Sequence, residues 1–191
     1  MMFKKLPESG EVEKELKREK YKTQYKRTLK STVFALITAS AVAVLVATLW
    51  LPVLKIFGSS MSPTLAEGEI VVSVKAKDLE PGDIVAFYYG NKVLVKRYIA
   101  GPGSWVDIRE DGIVLLDDSI LVEPYIAEKH FGICDIELPY QVPEESYFLM
   151  GDHRETSVDS RHTSVGCVSE EQIVGKIVFR VWPLEKFGFV N

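Results

Sequence analysis

Three short segments of the chain contain side chains that could take part in nucleophilic attack and proton transfer. The first is the stretch GSSMSPTL at residues 58–65, in which a methionine stands between serines and a proline follows. A proline fixes its own φ and restricts the residue before it, so the backbone here should be rigid. A serine-rich stretch is ordinarily a loop, but rigidity suits a nucleophile, because a displacement of about 1 Å can cost about 100-fold in rate.

The second segment is the apolar stretch VLVKRYI at residues 93–99, which contains two adjacent cations, Lys96 and Arg97. In an extended strand neighbouring side chains point to opposite faces, so one cation can reach solvent while the other lies among apolar side chains. Burial lowers the pKa of an ammonium, and a neutral lysine can take a proton from a nearby serine hydroxyl. Taken alone, the segment is more simply explained by two exposed cations on an edge strand.

The third segment is the polar run GDHRETSVDSR at residues 151–161, in which acidic and basic side chains are interspersed. Wherever this run is extended, Ser157, Asp159 and Arg161 share a face, which would place an ion pair beside a hydroxyl able to orient a base. A dense polar run is usually a surface loop. The acidic residues and the lack of clustered glycines disfavour a phosphate site.

The elements that must position these segments begin with residues 31–54, a stretch of 24 residues without a charge. At about 1.5 Å rise per residue it can cross a hydrocarbon core of about 30 Å. A buried core helix is disfavoured because the stretch has no polar stripe, and a cleaved secretory signal has a shorter charged region and a shorter apolar core. The stretch is therefore predicted to be an uncleaved transmembrane anchor.

The distribution of charge predicts how this anchor is oriented. The net charge is −4, but residues 1–30 contain ten Lys/Arg against five Glu, so the remainder of the chain is strongly acidic. Flanks rich in Lys/Arg stay in the cytoplasm. We therefore expect a single-pass protein of the cell membrane, with residues 1–30 as a cytoplasmic basic segment, residues 31–54 as the transmembrane signal anchor and residues 55–191 as an extracytoplasmic β-domain.

Beyond residue 54 the sequence consists of short β-branched runs separated by turn residues. Gly90-Asn91 and Asp111-Gly112 are two-residue hairpin signals between such runs. The predicted fold class is mainly β, an antiparallel, coiled-sheet and barrel-like domain that follows one N-terminal transmembrane helix. The predicted strands are residues 69–74, 83–89, 92–100, 104–109, 112–116, 146–150 and 172–182.

The two cysteines, Cys134 and Cys167, lack the Cys/His spacing of a zinc site, so neither a metal nor a cofactor is expected. They are either two partly buried thiols or, if the domain lies outside the cytoplasm, a disulfide. The chain as a whole is acidic, with a pI near 5.5, and this net charge gives no argument for nucleic acid as a partner.

Four motifs in order, with the upstream anchor, resemble the type I signal peptidases, in particular the Gram-positive, single-anchor type. The family pattern is Ser-Met-x-Pro-Thr-Leu, then Gly-Asp-Ile-Val, then a Lys-Arg strand ending in Pro-Gly, then Gly-Asp-Asn-Arg-x-x-Ser-x-Asp-Ser-Arg. This chain has SMSPTL at 60–65, GDIV at 82–85, KRYIAGPG at 96–103 and GDHRETSVDSR at 151–161. The resemblance extends over residues 56–182.

The resemblance implies a serine endopeptidase that removes signal peptides from secretory preproteins after small residues in an Ala-x-Ala pattern, in contact with membrane lipid. Its Ser/Lys dyad would be Ser60, the nucleophile, whose N–H contributes to the oxyanion hole, and Lys96, the general base. Ser157 would orient Lys96, and Asp159 and Arg161 would form a supporting salt bridge. The substrate would bind as an added strand. The positions that match the pocket walls are Ile56, Met61, Leu65, Leu94 and Val95.

Two positions depart from the family pattern. Gly58 stands where some members have a hydroxyl residue that completes the oxyanion hole, although glycine occurs there in the Gram-positive type. The identity of the second oxyanion donor is therefore open. His153 replaces the usual Asn, which indicates a structural or tolerant position.

Three other functions fit parts of the sequence. A Ser-His-Asp hydrolase could use His130, His153 or His162, although no motif places any of them. The self-cleaving repressors share the Ser/Lys dyad, but they carry a soluble DNA-binding region and no membrane span. An inactive, anchored binding module would keep a peptide groove and lose the dyad, whereas both Ser60 and Lys96 are present here.

Overall fold

The computed structural model describes residues 9–75 and 78–190, and the chain divides into two units. The first unit ends at Leu49 and is helical, and the second begins at Trp50 and contains the described strands. All three segments singled out in the sequence lie in the second, β unit.

The helical unit is one continuous helix, α1, of 42 residues (Ser9–Trp50). Its charged first half carries exposed ion pairs between neighbouring turns, such as Lys17 with Glu13, as a solvated helix does. Within the described residues, α1 contains one segment that is long and apolar enough to cross a membrane, and that segment is not buried. The helix ends two residues before Pro52, so residues 53–54 at the end of the predicted apolar span lie in a strand.

The β unit contains twelve strands among the described residues, most of them short. They are β1 (Val53–Lys55), β2 (Ile70–Val74), β3 (Ile84–Tyr89), β4 (Lys92–Ala100), β5 (Trp105–Ile108), β6 (Val114–Leu116), β7 (Ser119–Ile120), β8 (Tyr140–Gln141), β9 (Ser146–Met150), β10 (Val168–Ser169), β11 (Ile173–Trp182) and β12 (Gly188–Phe189). Single 3₁₀ turns at Glu170–Gln172 and Leu184–Lys186 precede β11 and β12.

These strands form two sheets. The larger has the order β1-β2-β11-β3-β4-β9-β10, with β12 paired to β11, and the smaller has the order β7-β6-β5-β8. Every pairing between described strands is antiparallel. The predicted fold class, mainly β and antiparallel after one apolar N-terminal helix, is confirmed.

All seven predicted strands are present, with bounds that differ by at most two residues. Gly90 and Asn91 connect β3 to β4, and Asp111 and Gly112 lie between β5 and β6. The sequence missed β1, β7, β8, β10 and β12. Each of these has only two or three residues, which is too few to display an alternating pattern.

The hairpin of β3 and β4 is the element that positions Lys96. The two strands pair without a break from Ile84 opposite Arg97 to Tyr89 opposite Lys92. On its other side β4 pairs with β9 only from Arg97 onward, so no strand among the described residues pairs with the outer edge of residues 92–95. At the end of the same sheet, β1 pairs with β2, and no other described strand covers its second edge.

The 58–65 turn is anchored in the core. Met61 and Leu65 are 2% and 0% exposed, and they pack in one apolar cluster with Val71 and Ile84 of the large sheet. Two apolar side chains therefore fix the turn that carries Ser60, one immediately after the serine and one five residues after it.

Candidate active site

The Lys96 side chain is buried in β4. It is 4% exposed, and its strand partner is the fully buried Val85. The expectation that one of the two adjacent cations reaches solvent is wrong, because Arg97 is only 1% exposed. Both cations are buried because the opposite face of β4 is covered as well, and Arg97 has a carboxylate partner there, Asp152.

The electrostatic surroundings of Lys96 favour its neutral form. Burial lowers the pKa of Lys96 from 10.5 to about 8, because an ammonium loses its hydration in the protein interior. Among the neighbouring charges, Asp159 raises the pKa of Lys96, Arg161 lowers it, and Asp152 raises it. Roughly one amine in ten is therefore free of its proton at pH 7, and half are free near pH 8.

The 151–161 segment follows β9 directly and supplies the partner of this amine. The Nζ of Lys96 donates a hydrogen bond of 3.0 Å to the Oγ of Ser157, and both side chains are buried. Residues 159–161 form a bend and a turn, so residues 157–161 are not the continuous extended run considered from the sequence. The Ser157 hydroxyl nevertheless lies beside the ion pair of Asp159 and Arg161.

The ion pair of Asp159 and Arg161 is fully buried and bidentate. Arg161 donates from Nε to Oδ1 at 2.8 Å and from Nη2 to Oδ2 at 2.9 Å. Burial by itself raises the pKa of Asp159, but the hydrogen bonds and charge of Arg161, with the Gly151 N–H and the Ser157 hydroxyl, hold it below its usual value. The carboxylate is therefore ionised and structural at neutral pH.

Ser60 is brought to the same place by contacts with the 151–161 segment. The carbonyl oxygen of Ser60 accepts a hydrogen bond of 3.0 Å from the N–H of His153. Gly151 lies between the two serines, since a Cβ at Gly151 would be 2.6 Å from the Ser60 carbonyl oxygen and would collide with the Ser157 side chain. Ser60 and Ser157 thus meet around one glycine, and Lys96 bonds to the second of these serines.

The oxygen and nitrogen atoms of Ser60 that could act on a substrate are free. Among residues 9–75 and 78–190, no acceptor is within hydrogen-bond range of the Ser60 N–H, and its Oγ has no hydrogen-bond partner. Two residues earlier, Gly58 has a φ of +80° and open space where a Cβ would lie. The half-buried serine therefore faces an open volume.

That volume is a groove of about 570 Å³ between β1 and the unpaired edge of β4. Four of the five predicted substrate-binding residues line it, namely Ile56, Met61, Leu94 and Val95. Leu65 does not line the groove, and at 0% exposure it belongs to the core beneath the Ser60 turn. The full lining is Val53, Leu54, Lys55, Ile56, Phe57, Gly58, Ser60, Met61, Lys92, Val93, Leu94 and Val95.

None of the three histidines lines the groove. His130 lies near Glu128, and the ring of His153 contacts Thr156 through Nδ1. His162 has both a hydroxyl and a carboxylate beside it: its Nδ1 is 2.8 Å from the Oγ of Ser164 and its Nε2 is 3.5 Å from Asp135. His162 and Ser164 form a local turn, since the Ser164 N–H also donates to the same Nδ1, whereas Asp135 comes from a separate segment, and none of the three residues lines the groove.

Two further ion pairs at the site were missed from the sequence. Arg97 donates to Asp152 from Nε and Nη2, at 2.8 and 2.7 Å, and Arg154 pairs with Glu123. Three of these four residues, Arg97, Asp152 and Arg154, lie within the motifs found in the sequence. The sequence gives no signal, however, that assigns a carboxylate to each arginine. Glu123 lies 31 residues from Arg154 and belongs to no motif.

The two cysteines do not form a disulfide, so they take the first of the two forms considered from the sequence, that of partly buried thiols. Cys134 and Cys167 are free thiols of intermediate exposure, and burial raises the pKa of Cys167 to about 11. Within the described residues, no group of three or more His, Cys, Asp or Glu side chains could hold a metal ion.

Comparison with known proteins matches residues 27–182 to the family described as signal peptidase, peptidase S26. The chain belongs to this family. Signal peptidase IB of Staphylococcus aureus (strain MRSA252) is 35% identical over 152 residues, which are 69% of this chain and 78% of that protein. Signal peptidase I of Streptococcus pneumoniae serotype 4 is 32% identical over 173 residues, which cover 70% and 83% of the two chains.

A solved structure of a signal peptidase I from Enterococcus faecalis V583 covers 52% of this chain and 97% of its own, with 28% identity and a TM-score of 0.46. The resemblance inferred from the four motifs is confirmed by the family match and by the curated signal peptidases. The chain is accordingly a peptidase of the signal peptidase family.

Proposed function

We propose that this chain is a membrane-bound serine endopeptidase that removes signal peptides from secretory preproteins, with Ser60 as nucleophile and Lys96 as general base. The observation that carries the proposal is the buried Lys96 amine, whose pKa lies near 8 and whose Nζ is held 3.0 Å from Ser157 beside the Ser60 turn. Such an amine is a competent base near neutral pH, unlike an exposed lysine. Membership of the signal peptidase family supports the same activity.

In the proposed first step, the neutral Lys96 amine takes the proton of the Ser60 hydroxyl while Oγ attacks the carbonyl carbon of the scissile peptide bond. The resulting tetrahedral intermediate carries an oxyanion. As the C–N bond breaks, the Lys96 ammonium gives its proton to the leaving nitrogen, and an ester remains on Ser60. The same amine then deprotonates a water molecule that attacks the ester, and Ser60 leaves with a proton returned from Lys96.

The oxyanion would be stabilised by the Ser60 N–H, which has no protein acceptor among the described residues. A donor that is already free and fixed costs no reorganisation when charge develops on the oxygen. Gly58 has no side chain and can contribute only through its backbone. The second donor is therefore expected to be a backbone N–H or a water molecule.

The groove supports an extended peptide as the substrate. It lies between two strand edges, β1 and residues 92–95 of β4, which have unpaired backbone groups that can bond to an added strand. Its walls are apolar at Ile56, Met61, Leu94 and Val95, which suits small apolar side chains such as those of an Ala-x-Ala sequence. Discrimination by such a pocket is modest, at about 1–3 kcal/mol per methylene.

The helix α1 supports anchorage of the enzyme in the membrane. Its apolar part is fully exposed within the helical unit, whereas an apolar helix of a globular protein is buried. The basic residues that precede it would hold its N-terminal end in the cytoplasm. The β unit would then act outside the cytoplasm, where a secretory preprotein emerges.

The proposal is tested by Ser60→Ala and Lys96→Ala in the full chain, purified in detergent micelles with a preprotein that has an Ala-x-Ala cleavage site. We expect each substitution to lower turnover by about 1,000-fold or more, because the first removes the nucleophile and the second removes the base. His162→Ala is the matched control and should retain activity, because the His162 turn lies apart from the groove. Turnover near that of the unmodified protein in either dyad variant, or its loss in His162→Ala, would contradict the mechanism.

A further inference from the structure

The charge of the groove beside Ser60 is opposite to that of the unit that contains it. Residues 55–191 contain 22 Asp/Glu against 13 Lys/Arg, so the β unit is acidic overall. Of the described residues that line the groove, however, the charged ones are Lys55 and Lys92, and none is a carboxylate. Composition alone favours acidic residues at this surface, so the positive charge of the groove calls for its own explanation.

The two lysines belong to opposite walls of the groove. Lys55 is the last residue of β1, and Lys92 is the first residue of β4, in the part of that strand whose outer edge no described strand covers. Both lysines are exposed, and neither has an ion-pair partner within residues 9–75 and 78–190. The Nζ of Lys55 lies 5.6 Å from the ring centroid of Phe57, another wall residue. Both ammonium groups are therefore available to an anion in the groove.

The spacing along β4 gives the distance of Lys92 from the dyad. Lys92 precedes Lys96 by four residues of one continuous strand, which is about 13 Å at about 3.3 Å per residue. Lys92, Leu94 and Lys96 share a face of this strand, because alternate side chains point the same way. The apolar walls at Leu94 and Val95, which suit the Ala-x-Ala residues, lie between the two lysines. A peptide added along this edge therefore brings the residues that precede Ala-x-Ala to Lys92.

We propose that Lys55 and Lys92 are specificity-determining residues that recognise a carboxylate side chain of the preprotein, about four to five residues before the cleaved bond. This inference rests on the proposed function, since it requires the groove to hold the residues that precede that bond. Two unpaired ammonium groups attract an aspartate or glutamate side chain and repel a lysine or arginine. Lysines on a strand edge also discourage pairing with other sheets, so the same charges limit the groove to peptides of suitable charge.

The expected effect is moderate and lies in binding, because both lysines are exposed to solvent. Exposed ion pairs are weak, and salt screens them. Changing one substrate position from attraction to repulsion by two lysines should alter kcat/KM roughly tenfold at low ionic strength. The change should be mainly in KM, since Lys92 is about 13 Å along the strand from the lysine of the dyad.

The test uses the full chain in a neutral detergent and peptides that share one Ala-x-Ala site, with Glu, Gln or Lys placed four or five residues before the cleaved bond. For the unmodified protein, kcat/KM should be about tenfold higher with the Glu peptide than with the Lys peptide, and this ratio should approach one in about 1 M salt. In Lys55→Glu with Lys92→Glu the preference should reverse. Each ratio is measured within one protein, so a general loss of activity in a variant does not affect it.

Lys75→Glu with Lys129→Glu is the matched control, because it changes the net charge equally at two exposed lysines that do not line the groove. This control should retain the preference for the Glu peptide. A ratio near one in the unmodified protein, an unchanged preference in Lys55→Glu with Lys92→Glu, or a reversed preference in the control overturns the proposal. If the doubly substituted groove variant fails to fold, an unchanged ratio in Lys92→Gln overturns it equally.

An anionic lipid headgroup is the other occupant that two lysines could attract. Vesicles of phosphatidylglycerol and of phosphatidylcholine distinguish it from the peptide. If the ratio of the two peptides stays near one while Lys55→Glu with Lys92→Glu loses activity only on the phosphatidylglycerol vesicles, the lysines bind lipid and the proposal is wrong.

Binding to the Ser60→Ala protein separates failure of this inference from failure of the proposed function. Fluorescence anisotropy with labelled peptides should show the Glu peptide binding more tightly than the Lys peptide, with about the same ratio as KM. Equal binding of the two peptides, when the unmodified protein cleaves both, overturns the role of the lysines alone. Cleavage by Ser60→Ala at the rate of the unmodified protein overturns the proposed nucleophile, whatever the charge preference.

Discussion

At the scale of single residues, the site depends on a lysine that is costly to bury. The pKa of Lys96 falls from 10.5 to about 8 in the folded protein, so the unfolded chain binds the proton more tightly. Stability should therefore rise with pH between about 8 and 10.5, and the full cost, on the order of 3 kcal/mol, applies below pH 8. In the proposed mechanism, this loss of stability accompanies a base that works near neutral pH.

A prediction at this scale concerns the pH dependence of catalysis. The proposed mechanism needs the neutral Lys96 amine, so kcat/KM of the unmodified chain should rise with pH through a midpoint near 8 and level off above it. The kcat midpoint should lie lower, because bound peptide shields the amine further from water. The measurement is initial-rate kinetics from pH 5.5 to 10 on a substrate without titrating groups in that range. A profile that is flat across this range rules out a lysine base.

At the scale of elements, the 151–161 segment assembles the site, although it is neither strand nor helix. It binds the Lys96 amine through Ser157, the Ser60 carbonyl through the His153 N–H, and the Thr64 hydroxyl through Asp152. The carbonyl of Thr64 is held from the other direction by Arg180 of β11, at 2.7 Å. The turn that carries Ser60, the proposed nucleophile, is therefore fixed both by this segment and by the sheet.

The prediction at this scale is that Gly151→Ala disrupts catalysis more than stability. A Cβ at Gly151 would collide with the Ser157 side chain and approach the Ser60 carbonyl to 2.6 Å, so Ser157 must release the Lys96 amine or Ser60 must move. Overpacking of this kind costs about 1–3 kcal/mol of stability. We expect kcat to fall by about 100-fold or more, because the reacting groups are displaced by a sizeable fraction of an ångström.

Gly175→Ala is the control for this substitution, because its Cβ would collide with the Val74 carbonyl, a contact in the sheet pairing of β11. Thermal denaturation and kinetics of both variants separate the two effects. If Gly151→Ala loses no more rate than Gly175→Ala at equal loss of Tm, the glycine serves the fold and not the geometry of the dyad.

At the scale of the whole molecule, function depends on two units with different physical chemistry. The helical unit has a basic first half followed by an apolar segment, and the β unit is acidic and contains a groove between two strand edges. Strand edges in soluble proteins are usually covered or charged, because they attract other chains. Here the apolar walls and free edges of the groove fit the proposed role of receiving a peptide.

The prediction at this scale is the orientation of the chain in the membrane. With an epitope tag at each end, intact spheroplasts treated with protease should lose the C-terminal tag and keep the N-terminal tag, because the basic residues before the apolar segment resist translocation. Detergent-permeabilised cells are the control and should lose both tags. Protection of the C-terminal tag in intact cells would place the groove in the cytoplasm and exclude the proposed topology.

The sequence by itself was sufficient to predict the long strands and the apolar helix and to identify the four motifs. Period-two alternation and the Gly90-Asn91 turn are local signals, since they depend on residues that are neighbours along the chain, and the corresponding strands β3 and β4 are where they were predicted. The motif segments around Ser60, Lys96 and Ser157 were recognisable for the same reason. Their order along the chain matched one family, and the comparisons confirmed that family.

The tertiary structure alone decided which side chains are buried and which charges meet. One of the two cations Lys96 and Arg97 was expected to reach solvent, but both are buried, and Arg97 pairs with Asp152, which is 55 residues away. Glu123 is likewise 31 residues from its partner Arg154. Leu65 matched a pocket position, and in the structure it is buried and does not line the groove. Burial and ion pairing depend on contacts between distant segments, and a carboxylate can be assigned to its arginine only after the sheet has brought the two together.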